Sequence, residues 1–498
     1  MAKPKWSRCY LLPLLLLLGT AILCTAFMGL RNAAGNSALY IEDIRGDRSV
    51  LDDVVVCGVL QDAYHGMEFE IRNGNVKKHT RFYENNGDRF QPEYRSSNQL
   101  QEGSTIREDE ISYSYQRDYV IPPEAKTEVS LQKVRDEDGY ETVEKTTSSD
   151  RADIYINMNK NIGKHHGKAS YWKAIRFHTG VRVQSGKQEF QITENCRYND
   201  SGQLTTVSSG EKEIPESFRG AGNDNSHAFV RMDGSIYFTV LSTPNHSGTG
   251  GIYKIEEYAD IWERMGGEER SQCGKVKTIV TFPLDGRDMT ILGLKAVNGR
   301  LVLIAVENNI LVLQAYDPES GNLLDEREVT PFDPSEYDGD FECFVEGNRM
   351  HLHIPKYRGT DSGSGQSQVS SHLLISVAVD DAFTLLHLVD DLDLEKGETA
   401  PAYVHRMDEA NGKLFVFSTV SRKEEQQDLP YDDWQPKHFL LFVYQNGKLL
   451  YKGELMNDSD EDNIADRLRL ASPYSEQGYV PSEKRQFRAV TVRGEEEK

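Results

Sequence analysis

The sequence predicts an all-β chain built from repeated antiparallel sheets, and three observations indicate this class. Turn sequences with Asn, Asp and Gly separate short runs rich in β-branched and aromatic residues, which is typical of β-hairpins. These strand pairs recur about every 60 residues. Beyond residue 31, no stretch has the apolar spacing of a long amphipathic helix, and only residues 258–266 fit a short helical insertion.

The clearest copy of the repeating unit is residues 291–329. Four strands are predicted there, at 291–297, 301–307, 310–316 and 323–329. The first two are joined by Asn298-Gly299, a strong signal for a type I′ turn because both central residues must adopt positive φ. The unit is therefore predicted to be a four-stranded antiparallel sheet.

The interval between strand pairs predicts how these sheets are assembled. The pairs begin at Met67, Glu128, Gln188, Ile252, Ile310, Leu373 and Phe439. Four-stranded sheets at this spacing predict a β-propeller of about seven blades (range 6–8). Each blade buries both faces against its neighbours, which explains the apolar run at 301–306. A terminal strand, at 39–44 or 488–493, is expected to close the ring.

The N-terminus contains an apolar run, residues 9–30, which follows Lys3, Lys5 and Arg8. As a helix this run is long enough to cross a hydrocarbon core of about 30 Å. The preceding positive charge places the N-terminus in the cytosol and the rest outside. A cleaved signal peptide, with small residues at 24–26, is the alternative and predicts a secreted protein. The expected segments are a cytosolic stub at 1–8, a transmembrane signal anchor at 9–30, a linker at 31–38, a propeller at 39–494 and a tail at 495–498.

Composition excludes several classes of protein. A net charge of −22 repels phosphate backbones and argues against nucleic-acid binding. The mean hydropathy of −0.59 excludes a protein with many membrane spans. Four of the six cysteines are widely spaced beyond the apolar run, without any CxxC pair, so buried thiols are favoured over two disulfides and paired zinc ligands are missing.

The connection between the second and third strand of each unit varies greatly in length. It is short at 308–309 and longer at 242–251, 355–371 and 420–437. In a propeller these connections leave from one face, so their variation indicates a recognition surface. Tolerated solvent loops are an equally good interpretation.

Residues 311–324 (LVLQAYDPESGNLL) resemble the repeat of quinoprotein-like propellers, in which a strand ends in an acidic turn with Gly and a new strand resumes. Residues 445–450 (QNGKLL) are a looser copy. The aromatic residue that usually ends the family repeat is Asp325 here. The Gly-His and Trp-Asp pairs of WD40 repeats are absent from the sequence. The resemblance implies a propeller fold and no quinone chemistry.

Two polar segments are candidate binding sites. Residues 458–466 partly match a calcium loop, but position twelve is Arg469 where a bidentate Glu is needed, so a solvated acidic loop is favoured. The calcium candidates are Asp458, Asp460, Asp462 and Asp466.

A basic and aromatic stretch at 160–178, with Trp434 in a variable connection, could bind an anionic glycan or acidic partner, although a charged exterior is favoured. The binding candidates are Lys164, His165, His166, Lys168, Trp172 and Trp434.

Catalytic motifs are weak in this sequence. Acidic clusters at 333–340 and 390–393 could supply the two carboxylates of a glycoside hydrolase. No Gly-x-Ser-x-Gly elbow, Walker loop, His-Glu-x-x-His or dinucleotide fingerprint is present.

The sequence therefore favours a membrane-anchored, extracytoplasmic binding or scaffold module that recognises an unknown protein or glycan. The module is expected to be non-catalytic and to need no cofactor, other than possible Ca²⁺. A carbohydrate-active hydrolase and an envelope sensor acting through a membrane partner are the alternatives.

Overall fold

The structure is a computed structural model. It describes residues 7–35, 39–61, 65–82, 111–119, 128–135, 140–162, 171–198, 204–213, 226–233, 235–242, 248–255, 272–273, 276–284, 289–337, 341–360, 367–401, 403–425, 438–457 and 486–494.

One α-helix precedes a long series of strands. The helix is α1 (Ser7–Gly35). The strands of the first half are β1 (Leu39–Gly46), β2 (Val54–Gln61), β3 (His65–Arg72), β4 (Asn75–Phe82), β5 (Ile111–Tyr119), β6 (Glu128–Arg135), β7 (Tyr140–Ile162), β8 (Tyr171–Tyr198), β9 (Leu204–Glu213), β10 (Phe229–Met232), β11 (Ser235–Thr239), β12 (Thr249–Ile255), β13 (Gln272–Cys273) and β14 (Val276–Pro283).

The second half continues the same pattern. Its strands are β15 (Met289–Val297), β16 (Arg300–Glu307), β17 (Ile310–Tyr316), β18 (Leu323–Pro331), β19 (Glu342–Glu346), β20 (Arg349–Thr360), β21 (Ser367–Val379), β22 (Phe383–Val389), β23 (Glu398–Thr399), β24 (Arg406–Ala410), β25 (Lys413–Arg422), β26 (His438–Gln445), β27 (Lys448–Asn457) and β28 (Gln486–Gly494).

The described strands form six sheets, numbered here I to VI. Sheet I has the order β28-β2-β3-β4. Sheet II contains β5 to β9 and β13. Sheets III, IV and V are four-stranded, in the orders β10-β11-β12-β14, β15-β16-β17-β18 and β19-β20-β21-β22. Sheet VI has the order β1-β27-β26-β25-β23, with β24 also paired to β25. All strand pairs are antiparallel except β13 with β8. The predicted all-β class is confirmed, and the repeated four-stranded sheets are consistent with a propeller-like fold.

The chain divides into two compact units. The first unit contains residues 1–92 and 392–498, and the second contains residues 93–391. The two ends of the chain therefore build one unit together, while the second unit is continuous in sequence.

The first unit contains sheets I and VI, and each sheet takes a strand from the opposite end of the chain. N-terminal β1 pairs with β27, and C-terminal β28 pairs with β2. Both segments expected to supply a closing strand are therefore strands that join distant parts of the sequence. A buried apolar cluster packs sheet I on sheet VI, with Val56 and Phe69 from sheet I and Phe415 and Tyr451 from sheet VI.

The second unit shows why the central run of apolar residues is continuous. Side chains alternate between the faces of a strand, and β16 of sheet IV is buried on both. Leu301 and Leu303 belong to the apolar cluster shared with sheet III. Val302 and Ile304 belong to the cluster shared with sheet V. The prediction that this sheet buries both faces is confirmed.

Strand continuity in sheet II differs from the prediction. The hairpins expected to begin at Glu128 and Gln188 are present as β6 with β7 and β8 with β9. They belong to one sheet because the long strands β7 and β8 pair along most of their length. Polar residues lie inside this ladder, where Ser148 pairs with Glu189 and Arg151 with Gln184. Two of the seven expected hairpins therefore lie in one sheet, and the described strands form six sheets.

The connections between the second and third strands of sheets V and VI are shorter than predicted. Residues 355–360 and 367–371 continue β20 and β21, so the connection in sheet V narrows to 361–366. In sheet VI the corresponding residues are 423–437, and in sheet IV they are 308–309. The expected helical insertion at 258–266 lies outside the described residues.

The predicted N-terminal helix is present as α1, which begins before residue 9 and continues through Gly35 into the expected linker. Within the part of the chain that the structure describes, no helix meets the length and apolarity required of a membrane span. Cys24 and Cys57 are free thiols.

Candidate functional site: two buried polar clusters

All but one of the site residues predicted from sequence lie outside the described part of the chain. The calcium candidates fall within 458–485, the basic candidates at 164–168 fall within 163–170, and Trp434 falls within 426–437. Trp172 is in β8, but its side chain is not described. The roles proposed for these residues therefore remain predictions. Among the described residues, no group of three or more His, Cys, Asp or Glu side chains is suited to a metal ion.

One carboxylate from each of the two acidic clusters accepts a hydrogen bond from a backbone N–H group. Asp333 caps the short 3₁₀ turn that begins at Pro334, and its Oδ1 accepts a hydrogen bond from the Ser335 N–H at 2.9 Å. Hydrogen bonds from Ser335 lower the pKa of Asp333. In the second cluster, the Asp391 carboxylate accepts the His372 N–H at 2.8 Å. Residues 338–340 lie outside the described part of the chain.

Sheet V carries a histidine-rich face that sequence reasoning missed. One face of the sheet is apolar and packs on sheet IV. Cross-strand pairs place polar side chains on the other face: Glu342 lies opposite His353, His351 opposite Ser376, and Ser376 opposite His387. The side chains of this histidine face are Glu342, His351, His353, His372, Ser376 and His387. All four histidines are at most 5% exposed.

Three residues of the histidine face form a hydrogen-bonded relay. The His353 Nδ1 lies 3.0 Å from the Glu342 Oε2, and the His353 Nε2 lies 3.0 Å from the His372 Nδ1. An ionised carboxylate only accepts, so the His353 Nδ1 donates to Glu342. Burial and then the neighbouring His353 lower the pKa of His372 to about 3, so this ring is neutral at pH 7. When His353 carries one ring proton, its Nε2 accepts from the His372 Nδ1–H.

This carboxylate–imidazole–imidazole order fixes the tautomer and orientation of both rings, and it can pass a proton between them. Buried polar groups that satisfy one another in this way rigidify a core. The arrangement therefore has a clear structural role inside sheet V. The signal in the sequence was the alternation of His351, Leu352 and His353, which puts both rings on one face. The strand register that adds Glu342 and His372 could not be read from sequence.

A second cluster, called here the ionic cluster, lies in sheet VI. Its members are Glu398 in β23, Arg422 at the end of β25, His438 at the start of β26, and Lys452 and Glu454 in β27. These positions converge where the connection between β25 and β26 begins and ends. Alternation in β27 puts Lys452 and Glu454 on the same face.

The ionic cluster is a continuous network of opposite charges. The fully buried Lys452 Nζ lies 2.6 Å from the Glu398 Oε2 and 3.2 Å from the Asp393 carbonyl oxygen. Arg422 spans both carboxylates, at 3.5 Å from Glu398 and 3.2 Å from Glu454. The His438 Nδ1 lies 2.6 Å from the Glu454 Oε1.

Electrostatics in the ionic cluster favour the charged form of Glu398. Burial alone acts to raise the pKa of Glu398. Hydrogen bonds from Lys452 and from the Glu395 N–H, together with the charges of Lys452 and Arg422, outweigh burial and lower this pKa. Glu398 is therefore a poor proton donor at neutral pH. The network anchors both ends of the connection at 423–437 to neighbouring strands.

Comparison with known proteins leaves the family open. No protein-family model matches the sequence, and no curated protein sequence matches it significantly. Similar solved structures include one from a study of two prolyl endopeptidases, at 10% identity and a TM-score of 0.19, covering 77% of this chain and 55% of that chain. Prolyl oligopeptidase B from Galerina marginata gives 8% identity and a TM-score of 0.20, with 76% and 56% covered. This chain thus spans about half the length of these two peptidases.

A mutant of the apocarotenoid oxygenase from Synechocystis is also similar, at 8% identity and a TM-score of 0.26, covering 84% of this chain and 93% of that chain. At TM-scores this low, none of these similarities carries an argument about fold or function.

Proposed function

We propose that this protein is a non-catalytic binding or scaffold module with a propeller-like fold, and that the apolar run at residues 9–30 of the sequence anchors it at the outer face of a membrane. The observation that carries the proposal is the contrast between constant sheets and variable connections. Sheets IV and V have the same four-stranded order, and sheet VI contains the same succession as β24-β25-β26-β27. The link between the second and third of these strands is 308–309 in sheet IV, 361–366 in sheet V and 423–437 in sheet VI. Recognition is commonly placed on variable loops that a rigid scaffold positions.

The ionic cluster supports this role for the connection in sheet VI. Arg422 and His438 stand at its two ends and both contact Glu454. Lys452 adds Glu398 and the Asp393 carbonyl to the same network. A long connection whose ends are fixed loses less conformational entropy when it binds a partner.

The polar groups support binding over hydrolysis. A glycoside hydrolase needs one carboxyl group with a raised pKa as general acid. The pKa of Glu398 is lowered, and so is that of Asp333. Asp391 accepts a backbone hydrogen bond. Turnover of a glycoside by the purified chain would reject the proposed non-catalytic role.

Site-specific photo-cross-linking in cells tests the recognition surface. A photoreactive residue at exposed Glu424 marks the connection between β25 and β26. The matched control is exposed Asn446, in the turn at the opposite end of the same sheet. We expect a discrete cross-linked product from position 424 and none from position 446. Equal yields from the two positions, or none from either, would contradict the assignment of the surface.

Topology is tested separately with the membrane anchor. Alkaline phosphatase fused after residue 40 is expected to be active outside the cytosol and to remain with the membrane fraction. Activity released into the medium would instead indicate a cleaved signal peptide. A silent fusion would reject export, and with it the extracytoplasmic function.

A further inference from the structure

Four hairpins in the described part of the chain have the same two-residue Asn-Gly turn, so their side chains can be compared directly. The Asn of each turn has a φ of 49° to 53°, and the Gly has a φ of 71° to 74°. The residues on either side of each turn pair across the hairpin, and all four Asn are exposed. The turns are Asn73-Gly74, Asn298-Gly299, Asn411-Gly412 and Asn446-Gly447. The fifth Asn-Gly pair of the sequence, at 86–87, lies outside the described residues.

An Asn-Gly pair can deamidate without an enzyme, because glycine has no Cβ to hinder attack by its own backbone nitrogen. The Gly nitrogen bonds to the side-chain carbonyl carbon of the Asn, and the bond from that carbon to Nδ2 breaks. The Gly amide proton leaves with the amino group as ammonia. Water then opens the five-membered imide at one of its two carbonyls, which gives aspartate or isoaspartate. The reaction therefore needs a mobile Asn side chain and a Gly nitrogen that can lose its proton.

Two of the four turns hold the side chain of their Asn. The Asn298 Nδ2 donates to the Val379 carbonyl oxygen at 2.9 Å, and the Asn411 Nδ2 donates to the Asp53 carbonyl oxygen at 2.8 Å. Each hydrogen bond must break before the amide carbon can turn towards the Gly nitrogen. The two side chains are therefore protected by contacts with distant parts of the sequence.

The Asn411 turn is held in a second way. The Gly412 N–H donates to the Glu409 Oε1 at 2.8 Å. Loss of this proton during the attack would put a negative charge beside a carboxylate, which is unfavourable. Two separate hydrogen bonds therefore oppose deamidation at Asn411.

The Asn446 turn has neither restraint, although it lies in the same sheet as the Asn411 turn. Within the residues that the structure describes, neither the Asn446 side-chain amide nor the Gly447 N–H makes a hydrogen bond. Exposed turns open locally at little cost in free energy, so this side chain can reach the reactive geometry. Asn73 also lacks a side-chain hydrogen bond there, but strand β4, which follows its turn, lies against α1. The inference is therefore confined to Asn446.

We propose that Asn446 is a site of spontaneous deamidation in the folded protein, and that hydrogen bonds protect Asn298 and Asn411. The conversion adds a negative charge to the turn between β26 and β27. Isoaspartate also adds a carbon atom to the main chain, which the two-residue turn accommodates only by displacing the pair of Gln445 and Lys448. The modification therefore loosens this end of the hairpin. The inference rests on the turns alone and does not depend on the proposed binding role.

The test measures deamidation site by site in the full chain in detergent micelles. The protein is incubated at mildly alkaline pH, and peptide mass spectrometry gives the rate at each Asn. The same chain unfolded in guanidinium chloride supplies a reference rate for each site, which removes the effect of the preceding residue. We expect the ratio of folded to unfolded rate to be about fivefold lower at Asn298 than at Asn446, and about 25-fold lower at Asn411, for one and two hydrogen bonds respectively.

A variant separates the two restraints on Asn411. Glu409→Ala removes the acceptor of the Gly412 N–H and should raise the folded rate at Asn411 about fivefold. The rate at Asn446 should stay the same, which also reports that sheet VI is intact. The matched control, Glu424→Ala, removes the same charge from an exposed position and should change neither rate. An unmodified Asn446 in the folded chain, equal rate ratios at Asn446 and Asn411, or an unchanged Asn411 in Glu409→Ala would overturn the proposal.

Discussion

At the scale of single residues, the two buried clusters differ in whether their buried groups carry charge. The ionic cluster holds full charges in a protein interior, where each ion has lost several kcal/mol of hydration. The relay in sheet V avoids this cost for His372, whose burial lowers its pKa and keeps its ring neutral. The two clusters should therefore respond differently to mutation and to pH.

Removal of the Lys452 ammonium should strongly reduce the free energy of unfolding, because Glu398 would lose its shortest ion pair while remaining buried. We expect Lys452→Met to lower the free energy of unfolding by about 3 kcal/mol, measured by urea denaturation. Adding Glu398→Gln should restore part of the loss. The control is Lys413→Met, since Lys413 pairs with the more exposed Asp53 and should cost about 1 kcal/mol. Similar costs for the two lysines would contradict a special role for the buried pair.

The sign of the pH dependence follows from His372. Its pKa is about 3 in the folded protein and 6.5 for an unperturbed histidine, so the unfolded chain binds an extra proton between these values. The stability associated with neutral His372 is present above pH 6.5 and is lost as the pH falls towards 3. The contribution is about 1.4 kcal/mol per pH unit.

His372→Gln should abolish this contribution and make the plot of unfolding free energy against pH shallower between pH 6 and 4 by about 1.4 kcal/mol per unit. The variant should also be less stable at pH 7, because the hydrogen bond with His353 changes. Exposed His79→Gln serves as the control and should leave the slope unaltered. An unchanged slope in His372→Gln would show that His372 does not resist protonation.

At the scale of strands and sheets, local signals were informative and long-range pairing was not. Asn298-Gly299 fixed the first hairpin of sheet IV, and all four strands predicted there are present as β15 to β18. Such turns depend on two adjacent residues with positive φ, which sequence displays directly. The long ladder of β7 and β8 depends on the pairing of distant polar residues. Sequence also could not show that Glu342, His353 and His372 meet, because that requires the register of three strands.

The Asn of one such turn has a second function that local sequence does not reveal. The Asn298 Nδ2 donates to the Val379 carbonyl oxygen of sheet V at 2.9 Å, which connects neighbouring sheets. Asn446 has the same φ of 49° in its own Asn-Gly turn. Asn298→Ala should lose both the left-handed preference of Asn and the hydrogen bond, for about 2 kcal/mol, while Asn446→Ala should cost about 1 kcal/mol. Urea denaturation measures both, and equal costs would mean that the link to Val379 adds no stability.

At the scale of the whole molecule, the ends of the chain are structural parts of one unit. Strand β28 buries Val490 and Val492 in the core between sheets I and VI. The Val492 N–H also donates to buried Asp408 of β24 at 2.7 Å. Sequence suggested a closing strand at either end of the propeller, yet it could not show that both ends are used, since each partner lies hundreds of residues away.

Deletion of β28 tests how much the stability of the first unit depends on the strand that the C-terminal segment adds to sheet I. Removing residues 486–498 takes two buried valines from the core, at about 2 kcal/mol each, and leaves β2 with an unpaired edge and Asp408 without the Val492 N–H. We expect hydrogen exchange to rise throughout β2, β3 and β4 and also in β24, while sheets III to V in the second unit keep their protection. Removing only residues 495–498, which follow the strand, should leave exchange unchanged. Uniform loss of protection in both units would mean that they unfold together, and full protection of β2 would mean that β28 is dispensable.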